Sequence, residues 1–219
     1  LLSRASLQLC RYLHWEPDII HCNDWQTSLI PAYLNTLETQ SPLSNTATVL
    51  TIHNLAYQGE FGARAFQRTG LPQWVYDNGD FKQNGHLNLL KGGLFHSTFI
   101  STVSPTYAHE IQTSQYGAGL DWVLRERSAA LYGILNGIDA EVWNPATDPY
   151  LPARYDIDNM EGKAACKRAL QAEFGLPQRD VPLIGFVGRL VGQKGIDVIA
   201  EALPGMLHAL DVQFVLLGS

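Results

Sequence analysis

Thr51-Ile52-His53-Asn54-Leu55-Ala56-Tyr57-Gln58-Gly59 decides how the rest of the chain reads. It continues the run Ala47-Thr48-Val49-Leu50, rich in β-branched residues and of strand length, then turns at once to His53, Asn54, Tyr57 and Gln58. A buried strand that opens abruptly into polar groups is the pattern of a ligand crevice at the carboxyl ends of a parallel sheet. His53 therefore stands where α/β domains place their chemistry, although His and Asn in a loop also serve simply to satisfy neighbouring backbone groups.

The pattern recurs. Ile19-Ile20-His21-Cys22 reads as a short buried strand ending in Asn23-Asp24-Trp25, Phe99 to Val103 as a strand ending in Ser104-Pro105, and Leu131 to Leu135 as one ending in Asn136-Gly137-Ile138-Asp139. Helical spacing fills the intervals. Leu2, Ser6, Leu9, Cys10 and Leu13 share one face; Leu29, Ile30, Tyr33, Leu34 and Leu37 share another, with Asp24 as its candidate cap. Pro31 requires that second helix either to kink or to begin nearby. Leu87, Leu90, Leu94 and Phe95 return to helical spacing, with Gly92-Gly93 allowing close approach or a helix end. Ser104 before Pro105 matches an N-cap followed by the first helical position. Residues 60–84 are weakly periodic and read as short helices and loops. Strands alternating with helices predict an α/β fold with a parallel sheet.

A helix capped by Asn159 and carrying Cys166, Ala169, Leu170 and Phe174 ends at Gly175, and Pro177 to Asp180 has linker character. We place a domain boundary there, between 1–177 and 178–219. Beyond it a new βαβ unit starts: strand Pro182 to Val187, loop Gly188 to Lys194, helix Gly195 to about Leu210 and strand Val212 to Leu217. Gly188-Arg189-Leu190-Val191-Gly192-Gln193-Lys194-Gly195 lies at the strand-to-helix junction, where free N–H groups, the helix dipole and two cations suit a diphosphate. It is neither the dinucleotide fingerprint nor the Lys-Ser/Thr phosphate loop, and a solvated surface loop is the plainer alternative.

The chain of 219 residues is mildly acidic at a formal net charge of -6, and its 15 basic residues are scattered, which argues against a duplex nucleic acid partner. Its three cysteines, Cys10, Cys22 and Cys166, lack metal-ligand spacing, as do the seven histidines, so no metal is expected. No apolar run reaches the ~18 residues of a membrane span. No nucleophile elbow or Ser/His/Asp order stands out.

Taken in order, the motifs Ile20-His21-Cys22-Asn23-Asp24-Trp25-Gln26-Thr27, Thr51 to Gly59, Asn88-Leu89-Leu90-Lys91-Gly92-Gly93 and Thr102 to Ala108 resemble the bacterial glycogen synthases and plant starch synthases of glycosyltransferase family 5. Ile134 to Asp139, Trp143-Asn144-Pro145, Gly162-Lys163, Gly188-Arg189-Leu190 and Gln193-Lys194-Gly195 complete the resemblance, which covers nearly the whole chain.

That resemblance implies a GT-B architecture of two Rossmann-like domains, with most of the first and only the start of the second in this chain. Residues 1–177 would be the acceptor-side domain and 178–219 the start of the nucleotide-sugar domain. The implied reaction is transfer of glucose from ADP-glucose to the non-reducing 4-hydroxyl of an α-1,4-glucan with retention, needing no cofactor beyond the donor. His53, Asp24 and Asn136 would line the transferred sugar, Asn54, Tyr57 and Gln58 would contact substrate, and Arg189, Lys194 and Gly188 would hold the donor diphosphate. No residue is assigned as nucleophile. The implied location is the bacterial cytoplasm or, in a plant, the plastid stroma. Two departures stand out: the family's amino-terminal Lys-x-Gly-Gly-Leu loop is not found here, nor are the acidic residue and Gly-rich loop of its later second domain. The chain thus reads as an incomplete piece, whose activity by itself does not follow from the resemblance. Alternatives are a related GT-B transferase using another nucleotide sugar and a non-catalytic glucan-binding remnant.

Overall fold

A computed structural model describes all 219 residues. The chain divides into two compact units, Leu1–Gly137 and Ile138–Ser219. The first contains, in order, α1 (Leu2–Tyr12), β1 (Ile19–Asn23), α2 (Asp24–Thr27), α3 (Leu29–Thr36), β2 (Ala47–Ile52), β3 (Glu60–Gly62), a 3₁₀ segment (Ala63–Thr69), α4 (Gln73–Asp77), β4 (Lys82–Gln83), β5 (His86–Asn88), α5 (Leu89–His96), β6 (Phe99–Thr102), α6 (Pro105–Glu110), α7 (Asp121–Glu126) and β7 (Leu131–Gly133). The second contains α8 (Glu161–Glu173), β8 (Leu183–Val187), α9 (Ile196–Ala209) and β9 (Gln213–Leu217).

The main sheet has the order β1-β2-β6-β7, and every neighbouring pair is parallel. Such a sheet buries both faces, so its central strand carries few exposed side chains. Thr48, Leu50 and Ile52 of β2 are buried, and Thr48 is satisfied by a reciprocal exchange with Thr98, each side-chain oxygen accepting the other's backbone N–H at 3.0–3.1 Å. Leu50, Ile52, Leu90, Leu94, Ile100 and Leu124 belong to the one large apolar core, all within the first unit.

Local chemistry explains several features of the helices. Ser104 accepts the Tyr107 N–H at 2.9 Å with Pro105 behind it, as expected of that pair. Pro31 falls in the first turn of α3, where its missing N–H is not needed, so the helix begins near the proline and does not kink around it. The glycine pair in α5 serves close approach: a Cβ on Gly93 would lie 2.6 Å from Ser28 Cβ, and one on Gly92 would meet the Phe81 ring.

Several expectations need correction. Asp24 does not cap the following helix with its side chain; Asn23 is the residue at the cap, and the Asp24 carboxylate is occupied elsewhere. Residues 60–88 hold a three-stranded antiparallel sheet, β3-β5-β4, and Leu87 lies in β5 ahead of α5. Strands of two or three residues are too short to display a period of two. Met160, not Asn159, is the cap residue of α8, and Asn159 instead accepts the Glu161 N–H at 3.1 Å.

The compact units divide at 137/138, whereas the sequence places a boundary at 177/178. The difference comes from α8, whose buried Gln171 donates to Gln213 Oε1 at 2.7 Å and to the Arg179 carbonyl at 2.9 Å, while Gln213 donates to the Pro177 carbonyl at 2.8 Å. These bonds tie α8 to β9 across the supposed linker. In this unit β8 and β9 are parallel neighbours, and Val187, Val198, Leu207, Leu210 and Leu217 are exposed. No helix is long and apolar enough to cross a membrane.

Candidate functional site

Register brings the ends of the main strands level. Asn23 pairs with Thr51, Ile52 with Thr102, and Thr102 with Gly133, so the segments that leave β1, β2, β6 and β7 emerge at one edge of the sheet. This is the carboxyl edge, where open α/β sheets bind ligands.

His53, the first residue beyond β2, is held twice from the end of β1. Its backbone N–H donates to Asp24 Oδ1 at 2.9 Å, and its ring Nε2 lies 2.8 Å from Asn23 Oδ1. For both adjacent residues to reach His53 the chain must turn sharply, and Asp24 does so at φ +53°, in the left-handed region. The turn is secured by α2 itself. Thr27 Oγ1 accepts the Asn23 N–H at 2.6 Å and donates to the Asn23 carbonyl at 2.8 Å, and the Ser28 hydroxyl donates to the Asp24 carbonyl at 3.0 Å. A residue held against its φ preference by its surroundings is characteristic of functional sites.

The loop after His53 is ordered from beneath. Asn54 Oδ1 accepts the Ala56 N–H at 3.0 Å, an Asx turn. Gln58 is buried: its amide donates to the carbonyls of Leu55 at 3.1 Å and Ala118 at 2.9 Å, and its oxygen accepts from Asn88 Nδ2 at 2.6 Å. Asn88 in turn caps α5 by accepting the Lys91 N–H at 2.9 Å. Gly59, at φ +66°, packs on the Trp25 ring so closely that a Cβ would lie 2.6 Å from Cε3. Tyr57 stays exposed at 56% beside these fixed residues. Asn136 is exposed in the segment that continues from β7, where the Ile134 N–H still donates to the Thr102 carbonyl at 2.8 Å.

His53, Asp24 and Asn54 are thus brought together, Gln58 faces the protein interior, and Asn136 follows β7, which β6 separates from β2 in the sheet. The sequence reading does not single out Asn23 or Trp25; their place at the end of β1 and just beyond it is the available signal. His21, within the stretch read as a buried strand, is exposed, and its Nε2 lies 2.6 Å from Thr51 Oγ1, which meets Ser101 Oγ at 2.6 Å. A nearby buried cation, Lys91, donates to the carbonyls of Gly79 at 2.7 Å and Lys82 at 2.6 Å, and burial lowers its pKa.

In the second unit, Gly188 continues from β8 and its N–H donates to the Leu217 carbonyl at 3.0 Å. Arg189 is exposed beyond it, and Lys194 closes the short 3₁₀ turn Gly192–Lys194 immediately ahead of α9. Gly195, at φ +72°, makes the turn into that helix. Neither Arg189 nor Lys194 is among the ion pairs of the chain, so both charges are free to meet an anion. A cavity of about 530 Å³ in this unit, bounded by Tyr155, Lys163, Cys166 and Leu183, contains none of these residues.

A set of one imidazole, one carboxylate and several amides on ordered backbone suits hydroxyl recognition, which needs directional partners. Known proteins resemble the chain along its length. Residues 1–126 match the model of the starch synthase catalytic domain. The chain is 51% identical over 220 residues to glycogen synthase 1 of Geobacter metallireducens, covering 100% of this chain and 44% of that protein. It is 51% identical over 217 residues to the glycogen synthase of Thermotoga maritima, covering 98% of this chain and again 44% of the relative. Among solved structures, the catalytic domain of starch synthase IV from Arabidopsis thaliana bound to ADP and acarbose superposes with a TM-score of 0.89 at 40% identity, over 99% of this chain and 45% of that one. The chain spans less than half the length of the relatives it matches. With an α/β fold of GT-B type and a family model matched over more than half its residues, the chain belongs to the starch synthase catalytic domain family, glycosyltransferase family 5.

Proposed function

We propose that this chain carries part of a retaining glucosyltransferase that moves glucose from ADP-glucose to the non-reducing 4-hydroxyl of an α-1,4-glucan. The observation that carries the reading is the double hold on His53 by Asn23 and Asp24 at the carboxyl edge of the main sheet. The names of its relatives, glycogen and starch synthases, support the same chemistry.

In this reading the chain up to residue 177 belongs to the acceptor side and 178–219 begin the nucleotide-sugar domain, with α8 packed on the latter through Gln171. His53, with Asp24 and Asn136, lines the transferred glucose, and Asn54 and Tyr57 contact substrate. Gln58 orders the loop that bears them, since its amide is spent on Leu55, Ala118 and Asn88. Arg189 and Lys194, with the backbone at Gly188, take the donor diphosphate. As the bond from glucose to diphosphate breaks, negative charge grows on ADP, and cations brought against it stabilise it. Losing a group that meets this charge costs on the order of 10²–10³ in rate. No side chain is assigned as a nucleophile; His53 positions and polarises. The location that goes with this chemistry is the bacterial cytoplasm or the plastid stroma.

The test is incorporation of labelled glucose into glycogen from ADP-glucose and, separately, UDP-glucose, by this chain and by the chain extended to the length of its relatives. Transfer by the extended protein with ADP-glucose preferred supports the reading. Preference for UDP-glucose points to a related transferase, and glucan binding without transfer by folded, extended protein points to a non-catalytic role.

A further inference from the structure

Asn23 occupies the cap position of α2, the place where an Asn side chain ordinarily accepts an N–H from the first helical turn. It makes no such cap. Thr27 takes over the Asn23 backbone, leaving the side chain directed at His53, with Oδ1 2.8 Å from Nε2. The neighbouring side chain, Asp24, is likewise diverted from the helix to the His53 backbone N–H. In an extended strand, consecutive side chains point to opposite faces; here the left-handed φ of +53° at Asp24 lets both converge on one residue. A cap and a relaxed backbone are thus both given up to hold one imidazole.

We infer that Asn23 is a positioning residue: its side-chain oxygen fixes the His53 ring in the form protonated at Nε2 and leaves Nδ1 as the acceptor offered to a sugar hydroxyl. The physical basis is that neutral imidazole has one donor and one acceptor, so an oxygen placed against Nε2 demands the proton there. Asp24 sets where the ring begins, and Asn23 sets which nitrogen faces outward. The role assigned to Nδ1 rests on the sugar-facing reading of His53; the tautomer does not.

The tautomer is read directly from long-range ¹H–¹⁵N spectra of the ¹⁵N-histidine-labelled chain at pH 8, with the His53 signals assigned by His53→Gln. The expected pattern is one donor-type nitrogen, Nε2, and one acceptor-type nitrogen, Nδ1. Asn23→Ala should give averaged signals from both tautomers. Asn23→Asp, which keeps an oxygen in the same place, should retain the Nε2–H form. A predominant Nδ1–H form in the unmodified chain overturns the inference, as does an unchanged tautomer in Asn23→Ala. These spectra do not depend on catalysis. A correct tautomer alongside transfer that is indifferent to His53→Ala would remove the sugar-facing role proposed for His53 and leave the positioning intact.

Discussion

The Asp24 carboxylate accepts the His53 backbone N–H at 2.9 Å from a residue whose own φ is +53°. Two effects therefore meet at position 24: a hydrogen bond that stabilises, and a left-handed conformation that costs about 1–2 kcal/mol for an ordinary L-residue. Asp24→Ala removes the bond and keeps the strain, whereas Asp24→Gly removes both. The glycine variant is expected to be the more stable of the two by about 0.5–1 kcal/mol, after allowing for the added freedom of glycine in the unfolded chain. Urea midpoints of the two proteins measure this, and an alanine variant as stable as the glycine one would contradict the assigned strain.

Close packing of α5 on its neighbours makes a second prediction. A methyl group at Gly93 would meet Ser28 Cβ at 2.6 Å and Leu50 Cδ2 at 2.9 Å, both buried. Gly93→Ala should therefore destabilise the fold by about 1–3 kcal/mol despite alanine's better helix propensity, because overpacking outweighs that gain. Unchanged or increased resistance to urea would show that α5 has room to move away.

His96, at the end of α5, gives the fold a pH dependence. Burial is the largest influence and lowers its pKa, opposed by Asp80, whose Oδ2 lies 3.2 Å from Nε2, while Arg127 adds to the lowering. The ring also stacks on Phe81, and its Nδ1 lies 3.5 Å from Asn35 Nδ2. With the folded value below the unfolded one, the unfolded chain takes up the proton first as pH falls below about 6.5. Stability present above that pH is therefore lost as pH falls through the window between the unfolded and folded values. His96→Gln should flatten urea midpoints measured between pH 5 and 7.5, and an identical slope in the variant would assign the dependence to other groups.

Much of this architecture is legible from residue pattern because strand and helix periods are long enough to see. β1, β2, β6 and their polar ends, the Ser104 cap and the Gly92-Gly93 contact all follow from local chemistry. The β3-β5-β4 sheet does not, since its strands are two or three residues long and β3 is held by a partner distant in sequence. For the site, His53 and Asp24 stand out as polar residues at strand ends, but nothing local reveals that they touch. Their bond, like that of Asn23, spans about thirty residues and depends on the register of β1 with β2. Gln58 illustrates the opposite case: adjacent to exposed Tyr57, it reads as a ligand contact, yet the carbonyl of Ala118 and the amide of Asn88 draw it inward.

The central claim is that His53 is held to meet the transferred glucose. Its most direct test is the rate of glucose transfer from ADP-glucose into glycogen by the extended protein and its His53→Ala variant, with folding of both checked by circular dichroism and urea midpoint. The account predicts a loss on the order of 10²–10³ in rate with the fold intact, the scale of removing one preorganised polar group from a transfer site. Transfer by a folded His53→Ala protein within a factor of about two of the unmodified rate, well under the 1.4 kcal/mol that a tenfold change represents, would contradict it.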